Sequence, residues 1–141
     1  MKLRLAEPLD SEILLKFRND PVTRSGSHHS EKIKQKEHDR WFKATLNNPN
    51  IQLYVFEIDG KVVGTARSDF DEETYKLSWT VAPEERGKGV GKKMVYLLAN
   101  ALKTPIRAEV KESNIASIKI AKFIGMTLDF NEDGILYFSK K

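Results

Sequence analysis

The chain has no cysteine, only 3 methionines, and no apolar run approaching the roughly 20 residues that would cross a bilayer. The missing cysteine excludes disulfides, thiolate metal ligands and a cysteine nucleophile together, and it fits a reducing compartment. The opening residues, Met1-Lys2-Leu3-Arg4-Leu5-Ala6-Glu7-Pro8, lack the apolar segment of a secretion signal. Low-complexity tracts and internal repeats are missing too. Charge imbalance is slight: 24 basic against 20 acidic residues, a net charge of +4. Such an excess suits an anionic small molecule at least as well as a nucleic acid. Aromatic and basic residues do not alternate, and there is no helix-turn-helix or RNP-type motif, so neither nucleic acid nor membrane is an expected partner. What remains is a cytoplasmic protein with one domain over residues 1–141, whose 40% hydrophobic content supports a single core.

The hydrophobic pattern alternates between periods of 2 and 3.6. Lys2 to Ala6 reads as a half-buried strand. Asp10 caps a short helix through Arg18, which Asn19-Asp20-Pro21 ends, and residues 22 to 30 read as a loop. Ser30 caps a further helical stretch to about Leu46 with sparse apolar residues, Ile33, Trp41, Phe42 and Leu46. Three strands follow: Ile51 to Ile58, Lys61 to Phe70 across the hairpin signal Asp59-Gly60, and Thr74 to Val81. Gly89 to Leu102 is helical, with Val90, Met94, Leu97, Leu98 and Ala101 on one face. A strand from Ile106 to Val110, a helix capped by Ser113 or Asn114 and closed at Gly125, and a hairpin of Thr127 to Phe130 with Ile135 to Ser139 complete the chain. The order predicts an α/β domain with a mixed sheet.

Three of the 8 glycines fall in the hexapeptide Arg86-Gly87-Lys88-Gly89-Val90-Gly91, between a strand and a helix. Glycines let the backbone turn tightly and approach a ligand closely, and the first helical turn offers unpaired N–H groups at the positive end of the dipole. With Arg86, Lys88, Lys92 and Lys93 nearby, this is a phosphate cradle. A Walker A loop fails, because position 86 is Arg and position 93 is Lys. A dinucleotide fingerprint fails as well, because it needs glycine where Lys92 stands.

The pattern that fits is Arg-x-x-Gly-x-Gly, preceded by Val81-Ala82-Pro83 at a strand end. Downstream, Asn114-Ile115-Ala116-Ser117-Ile118 leads into Phe123-Ile124-Gly125-Met126. Together these segments resemble the two coenzyme motifs of the GNAT N-acetyltransferase superfamily, with Met126 in place of the usual Phe. The likeness runs from Leu3 to Phe138. It implies a mostly antiparallel central sheet with flanking helices and a V-shaped splay between the strands at 74–81 and 106–110. It implies acetyl-CoA as co-substrate, no metal, and a small-molecule amine as acceptor, acting as a monomer or homodimer. Coenzyme contacts carried over from the family are Trp79, Val81, Arg86, Gly87, Lys88, Gly89, Val90, Gly91, Lys92, Asn114 and Ser117. For Asn114 and Ser117 the plain alternative is a helix cap and its first turn. Within the superfamily, Phe17-Arg18-Asn19-Asp20, Thr23-Arg24, Glu37-His38 and Trp41-Phe42 look like the branch that acetylates nucleotide-linked amino sugars of the pseudaminic-acid type. Ribosomal-protein N-terminal acetyltransferases share parts of this pattern, and a non-catalytic acyl-CoA-binding module is a further alternative.

Acetylating an amine requires removing its proton, polarising the thioester carbonyl and stabilising the departing thiolate. A backbone N–H near Trp79 to Val81 would polarise the carbonyl, by the family pattern. Glu109, among apolar neighbours on its strand, is the candidate base; it is equally suited to pair with a nearby Lys or Arg. His38 is the other candidate, against an ordinary helix-surface histidine. His28 and His29 contact substrate or belong to a solvated loop. Many relatives carry an acidic Tyr seven residues after the motif Asn. Here that position is Ala121. Tyr96 reads as a core residue rather than a substitute acid, so proton transfer through water or from the ammonium formed is expected to suffice.

Overall fold

The computed structural model describes residues 1–26, 31–103 and 105–141. In chain order the elements are β1 (Lys2–Leu5), α1 (Ser11–Asn19), α2 (Pro21–Gly26), α3 (Gln35–Leu46), β2 (Ile51–Ile58), β3 (Lys61–Phe70), β4 (Tyr75–Val81), α4 (Val90–Leu102), β5 (Ile106–Lys111), α5 (Ile115–Phe123), β6 (Thr127–Glu132) and β7 (Ile135–Lys140). The strands form one seven-stranded sheet in the order β1-β2-β3-β4-β5-β7-β6. Every neighbouring pair is antiparallel except β4 with β5. The expected GNAT-like α/β architecture is therefore present. Ser30, His28 and His29 lie outside the described residues.

Strand alternation sends side chains to two cores. One face carries Phe56, Ala66, Leu77, Ile106, Ala108 and Phe138 against Met94, Val95 and Leu98 of α4 and Ile120 of α5. The opposite face carries Leu53 and Val55 against Leu14 and Phe17 of α1 and Phe42 of α3. Each fully buried Leu or Phe contributes about 1.5–3 kcal/mol. The first strand is tied to the turn before α1 by Arg4, whose Nη1 and Nη2 each donate to Asp10 at 2.9 Å.

Several local expectations change. The helix expected to follow Ser30 begins at Gln35, and Asp10 stands at the N-cap of α1 without a side-chain cap bond. Residues 21–26 are helical, not loop. Asp20 ends α1 and also caps α2, because its Oδ2 accepts the Thr23 N–H at 3.1 Å while Pro21 opens the new helix. The last hairpin turns on two residues, Asp133 (φ 52°) and Gly134 (φ 83°), so Asn131 and Glu132 belong to β6. The buried stripe of α4 is Val90, Gly91, Met94, Val95 and Leu98. Leu97 and Ala101, expected inside, face out.

The stripe shifts because Gly91 is itself a packing residue. A Cβ there would lie 2.6 Å from Ile120 Cδ1 and 3.2 Å from Val81 Cγ2. The absent side chain lets α4 close on both α5 and β4. Gly91→Val should therefore overpack this junction by about 1–3 kcal/mol. The expected readout is a melting temperature lower by roughly 3–10 °C in thermal denaturation; an unchanged transition would show that the junction has slack.

Candidate functional site

The parallel strands β4 and β5 pair only at their first residues, Tyr75 with Ile106 and Lys76 with Arg107. Beyond those two pairs they diverge toward their C-terminal ends, while β4 stays registered with β3 as far as Gly64–Val81 and β5 with β7 as far as Lys111–Ile135. Backbone groups on the facing edges of Leu77–Val81 and Ala108–Lys111 thus have no strand partner across the gap. Such groups need a partner from water or a ligand.

The glycine loop lies at the mouth of this gap. After Val81 the chain makes a 3-10 turn at Pro83–Glu85, then passes Gly87 (φ 79°) and Gly89 (φ 78°), both in the left-handed region. A Cβ at either glycine would meet nothing within 4 Å, so the space above the loop is open. Gly89 is the N-cap of α4 and offers no side-chain cap, which leaves the first N–H groups of the helix free of a capping side chain. Lys88 and Lys92 are exposed beside it. Lys92 Nζ sits 5.3 Å from the Phe123 ring centre, next to Tyr96. Tyr96 is 49% exposed and so is not the core residue expected from the helical pattern.

On the α4–α5 side, the gap is spanned by Trp79, whose Nε1 donates to Ser117 Oγ at 3.1 Å. Asn114 caps α5 by accepting the Ser117 N–H at 3.2 Å. The plain cap-and-first-turn geometry is therefore present at both residues, at the edge of the splay.

On the opposite side, α2 is tied to both arms of the splay. Arg86 Nη2, from the loop that follows β4, donates to Asp20 Oδ2 at 2.6 Å and to Thr23 Oγ1 at 2.9 Å. Lys111 Nζ, from the end of β5, donates to the Ser25 carbonyl at 3.2 Å. Arg86 is thus engaged with α2 rather than extended over the glycines. Burial of Asp20 opposes its ionisation, but the Arg86 bond and the Thr23 N–H outweigh burial and hold its carboxyl below the usual range. In the sequence Arg86 belongs to the glycine loop and Asp20 and Thr23 to the N-terminal pattern, and nothing local reveals that they meet.

Glu109 lies on β5 on the α1–α3 side of the sheet, its side chain 20% exposed. Its Oε2 is 3.2 Å from both Lys76 Nζ and Arg107 Nη1. Glu109 is therefore paired with two cations of the same sheet face.

His38 differs most from its expectation, since it is fully buried rather than on a helix surface. Its Nε2 lies 2.9 Å from the Ser11 carbonyl, an acceptor only, so Nε2 carries the proton. Nδ1 then accepts from Arg18 Nη1 at 3.1 Å. Burial foremost, and the Arg18 charge second, push its pKa below the ordinary value. With one nitrogen donating and the other accepting, no lone pair is left for a substrate proton.

Comparison with known proteins follows from this geometry. A model of the acetyltransferase (GNAT) family matches residues 14–126. Comparison of the sequence with curated proteins finds no match. Among solved structures, a domain from Methanocaldococcus jannaschii DSM 2661 superposes with a TM-score of 0.87 at 19% identity, covering 99% of this chain and 96% of that one. A ribosomal-protein-alanine N-acetyltransferase from Brucella melitensis gives 0.82 at 24% identity, covering 99% of each chain. The aminoglycoside acetyltransferase AAC(6′)-Ib, in complex with coenzyme A and kanamycin, gives 0.84 at 18% identity, covering 99% and 93%. At these identities the likeness establishes a shared fold.

The buried imidazole generates a pH prediction. The folded state refuses a proton that the unfolded chain accepts, so this contribution to stability is complete above the ordinary pKa of 6.5 and is lost as pH falls from there toward the depressed value. Nitrogen NMR should find His38 neutral, with the proton on Nε2, at pH 6.5, and denaturant unfolding should find lower stability at pH 5 than at pH 7.5. An imidazole half-protonated at pH 6.5 would contradict the assignment.

Proposed function

The chain belongs to the acetyltransferase (GNAT) family and is an acetyl-CoA-dependent N-acetyltransferase; on that premise we propose that it acetylates the primary amine of a small molecule, a nucleotide-linked amino sugar, with the coenzyme lying along the β4–β5 splay. The observation that carries this reading is the juxtaposition of an unpaired strand gap with an open glycine loop. Residues 87–91 and the first N–H groups of α4 would hold the pyrophosphate, with charge from Lys88 and Lys92. The facing edges of Leu77–Val81 and Ala108–Val110 would hold the pantetheine arm, with Asn114 and Ser117 at its side. Arg86 serves the site by a different route. Fixed on Asp20 and Thr23, it joins the coenzyme loop to α2, which borders the acceptor side.

Bound acetyl-CoA supplies an activated thioester carbonyl. The chain must then orient the amine, take its proton and favour charge on the carbonyl oxygen. A backbone N–H among Trp79–Val81 supplies the last. Glu109 is the proposed base, acting through a water. It lies on a strand that borders the splay and on the acceptor side, and Lys76 and Arg107 fix its carboxylate. His38 is a positioning residue, since both its nitrogens are used within the fold. Ala121 is fully buried in the core, so this position offers no acid to the sulfur. A thiol of ordinary pKa, about 8.5, leaves without one.

The amino-sugar class rests on the resemblance of the N-terminal pattern residues, which hold each other in the fold. Asn19 exchanges two hydrogen bonds with the Ile33 backbone, at 2.9 and 2.7 Å, and Arg18 lies over Trp41. These contacts build a wall on the acceptor side of the sheet.

Two measurements check the reading. Gly89→Val places a β-branched side chain in the open space above the loop, in a left-handed conformation. It should weaken acetyl-CoA binding at least tenfold in calorimetry while circular dichroism stays native; unchanged affinity would remove the loop from the coenzyme site. Glu109→Gln should lower kcat by roughly 10²-fold with little change in acetyl-CoA affinity. The assay panel holds nucleotide-linked amino sugars, peptides with free N-termini and aminoglycosides. Turnover confined to peptides would move the substrate to protein N-termini, and coenzyme binding without any turnover would make the chain a binding module.

A further inference from the structure

The β1 end of the sheet presents an apolar surface to solvent. β1 is an edge strand, separated from β5 by β2, β3 and β4. A 3-10 turn at Pro8–Asp10 follows it, and Leu9 at the centre of that turn is 94% exposed. The turn is held firmly. Asp10 is gripped by both Arg4 Nη atoms at 2.9 Å and accepts the Glu7 N–H at 2.7 Å, while its own N–H donates to the Glu7 carbonyl at 2.9 Å. A part-buried ion pair thus fixes the backbone from which an apolar side chain is held out in water.

Beside Leu9, between the turn and α3, lies a groove of about 250 Å³ lined by Pro8, Ser11, Asp39, Phe42, Lys43 and Leu46. Its exposed walls are almost wholly apolar. An apolar cavity of about 150 Å³ accepts benzene, so this groove has room for a leucine side chain. Leu46 also lines a smaller depression with Leu5, Ile51 and Leu53, which carries the apolar surface on to the edge strand. Single exposed leucines are ordinary, whereas a continuous apolar patch with a polar rim marks a contact surface.

The patch holds a projection and a recess side by side, and it holds both signs of charge. Asp39 and Lys43 stand one turn apart on the exposed side of α3, at the rim of the groove. Asp39 accepts a hydrogen bond from Gln35 of its own helix at 2.9 Å, and neither Asp39 nor Lys43 makes an ion pair among the described residues. A lipid surface would call for cations alone around the apolar centre. A surface that meets its own copy about a two-fold axis must instead carry each feature together with its complement, because residue i meets j while j meets i.

We propose that this face is a homodimer interface, in which Leu9 of each copy enters the groove of the other and Asp39 faces Lys43 across the axis. The fixed turn lowers the ordering cost of the contact. The interface uses no residue of the splay or the glycine loop, so it stands independently of the acetyl-transfer reading.

Sedimentation velocity over about 1–500 μM chain should show a shift from the chain mass to twice that mass and no further. Leu9→Glu should raise the dimer dissociation constant roughly a hundredfold or more, because one substitution removes two buried leucines and sets two carboxylates against apolar grooves. Leu9 is exposed in the single chain, so this variant keeps its fold, with circular dichroism and coenzyme A affinity as controls. Asp39→Lys and Lys43→Asp should each weaken dimerisation several-fold at low salt, and the double variant, which exchanges the two signs, should recover it. A chain that stays monomeric to the highest concentration overturns the proposal, as does growth beyond the dimer or a dimer that Leu9→Glu leaves intact. A double variant no tighter than the single ones would refute the two-fold pairing of Asp39 with Lys43.

Discussion

The structure depends on one broken pairing. β4 and β5 are the sheet's single parallel pair, and they part after Lys76 and Arg107. A sheet that simply ended would expose an edge; here the two arms remain registered with their outer neighbours, so the gap is rigid on both sides. Backbone groups that cannot be satisfied by a strand are thereby fixed in place for something else to satisfy. The connection from β4 to β5 must also cross over through a helix, because parallel strands cannot be joined by a tight turn. That requirement puts the start of α4, with its uncapped N–H groups, at the mouth of the gap.

Holding the arms apart requires contacts on both faces. On one face Trp79 reaches Ser117, and Gly91 lets α4 approach Ile120 and Val81 closely. On the other, α2 is tied to Arg86 at one arm and Lys111 at the other. Arg86 is the joint between these systems. It emerges from the glycine loop and pairs with Asp20 and Thr23 at the start of α2. One ion pair therefore joins the start of α2 to the glycine loop.

Much of this was legible in sequence because much of it is local. The β2–β3 hairpin and its Asp59-Gly60 turn follow from alternation and from residues that tolerate positive φ, and Ser113-Asn114 marks a helix start that Asn114 caps. The glycine loop is legible for the same reason: backbone geometry is written in residues that sit side by side. What was not legible depends on partners distant in the chain. Nothing local says that Arg86 meets Asp20, or that His38 lies fully buried against Ser11. The helix at 21–26 was hidden by a different cause. Asp20-Pro21 signals both an end and a beginning, and the polar residues after it lack the apolar stripe that would identify a helix. The α4 stripe was misaligned because a periodicity count treats glycine as empty, whereas Gly91 is buried through having no side chain.

This division follows the chemistry. A coenzyme is invariant, and a site made of backbone N–H groups and glycines can be recognised as a short motif. Contacts between side chains on separate elements, here α1, α3 and β3, are not written in a short motif, and their meaning lies in how charges balance after folding. Arg67 and Arg18 are both half-buried arginines beside the same tryptophan; the fork to Asp69 gives one of them a counter-ion, and the other has none among the described residues. His38 completes the distinction. A protonated imidazole would repel Arg18, whereas the neutral ring, with its proton committed to Ser11, presents a lone pair that holds the guanidinium in place. The histidine therefore holds Arg18 by remaining uncharged, the reverse of the role its ordinary pKa suggests, because burial and a neighbouring cation both oppose its protonation.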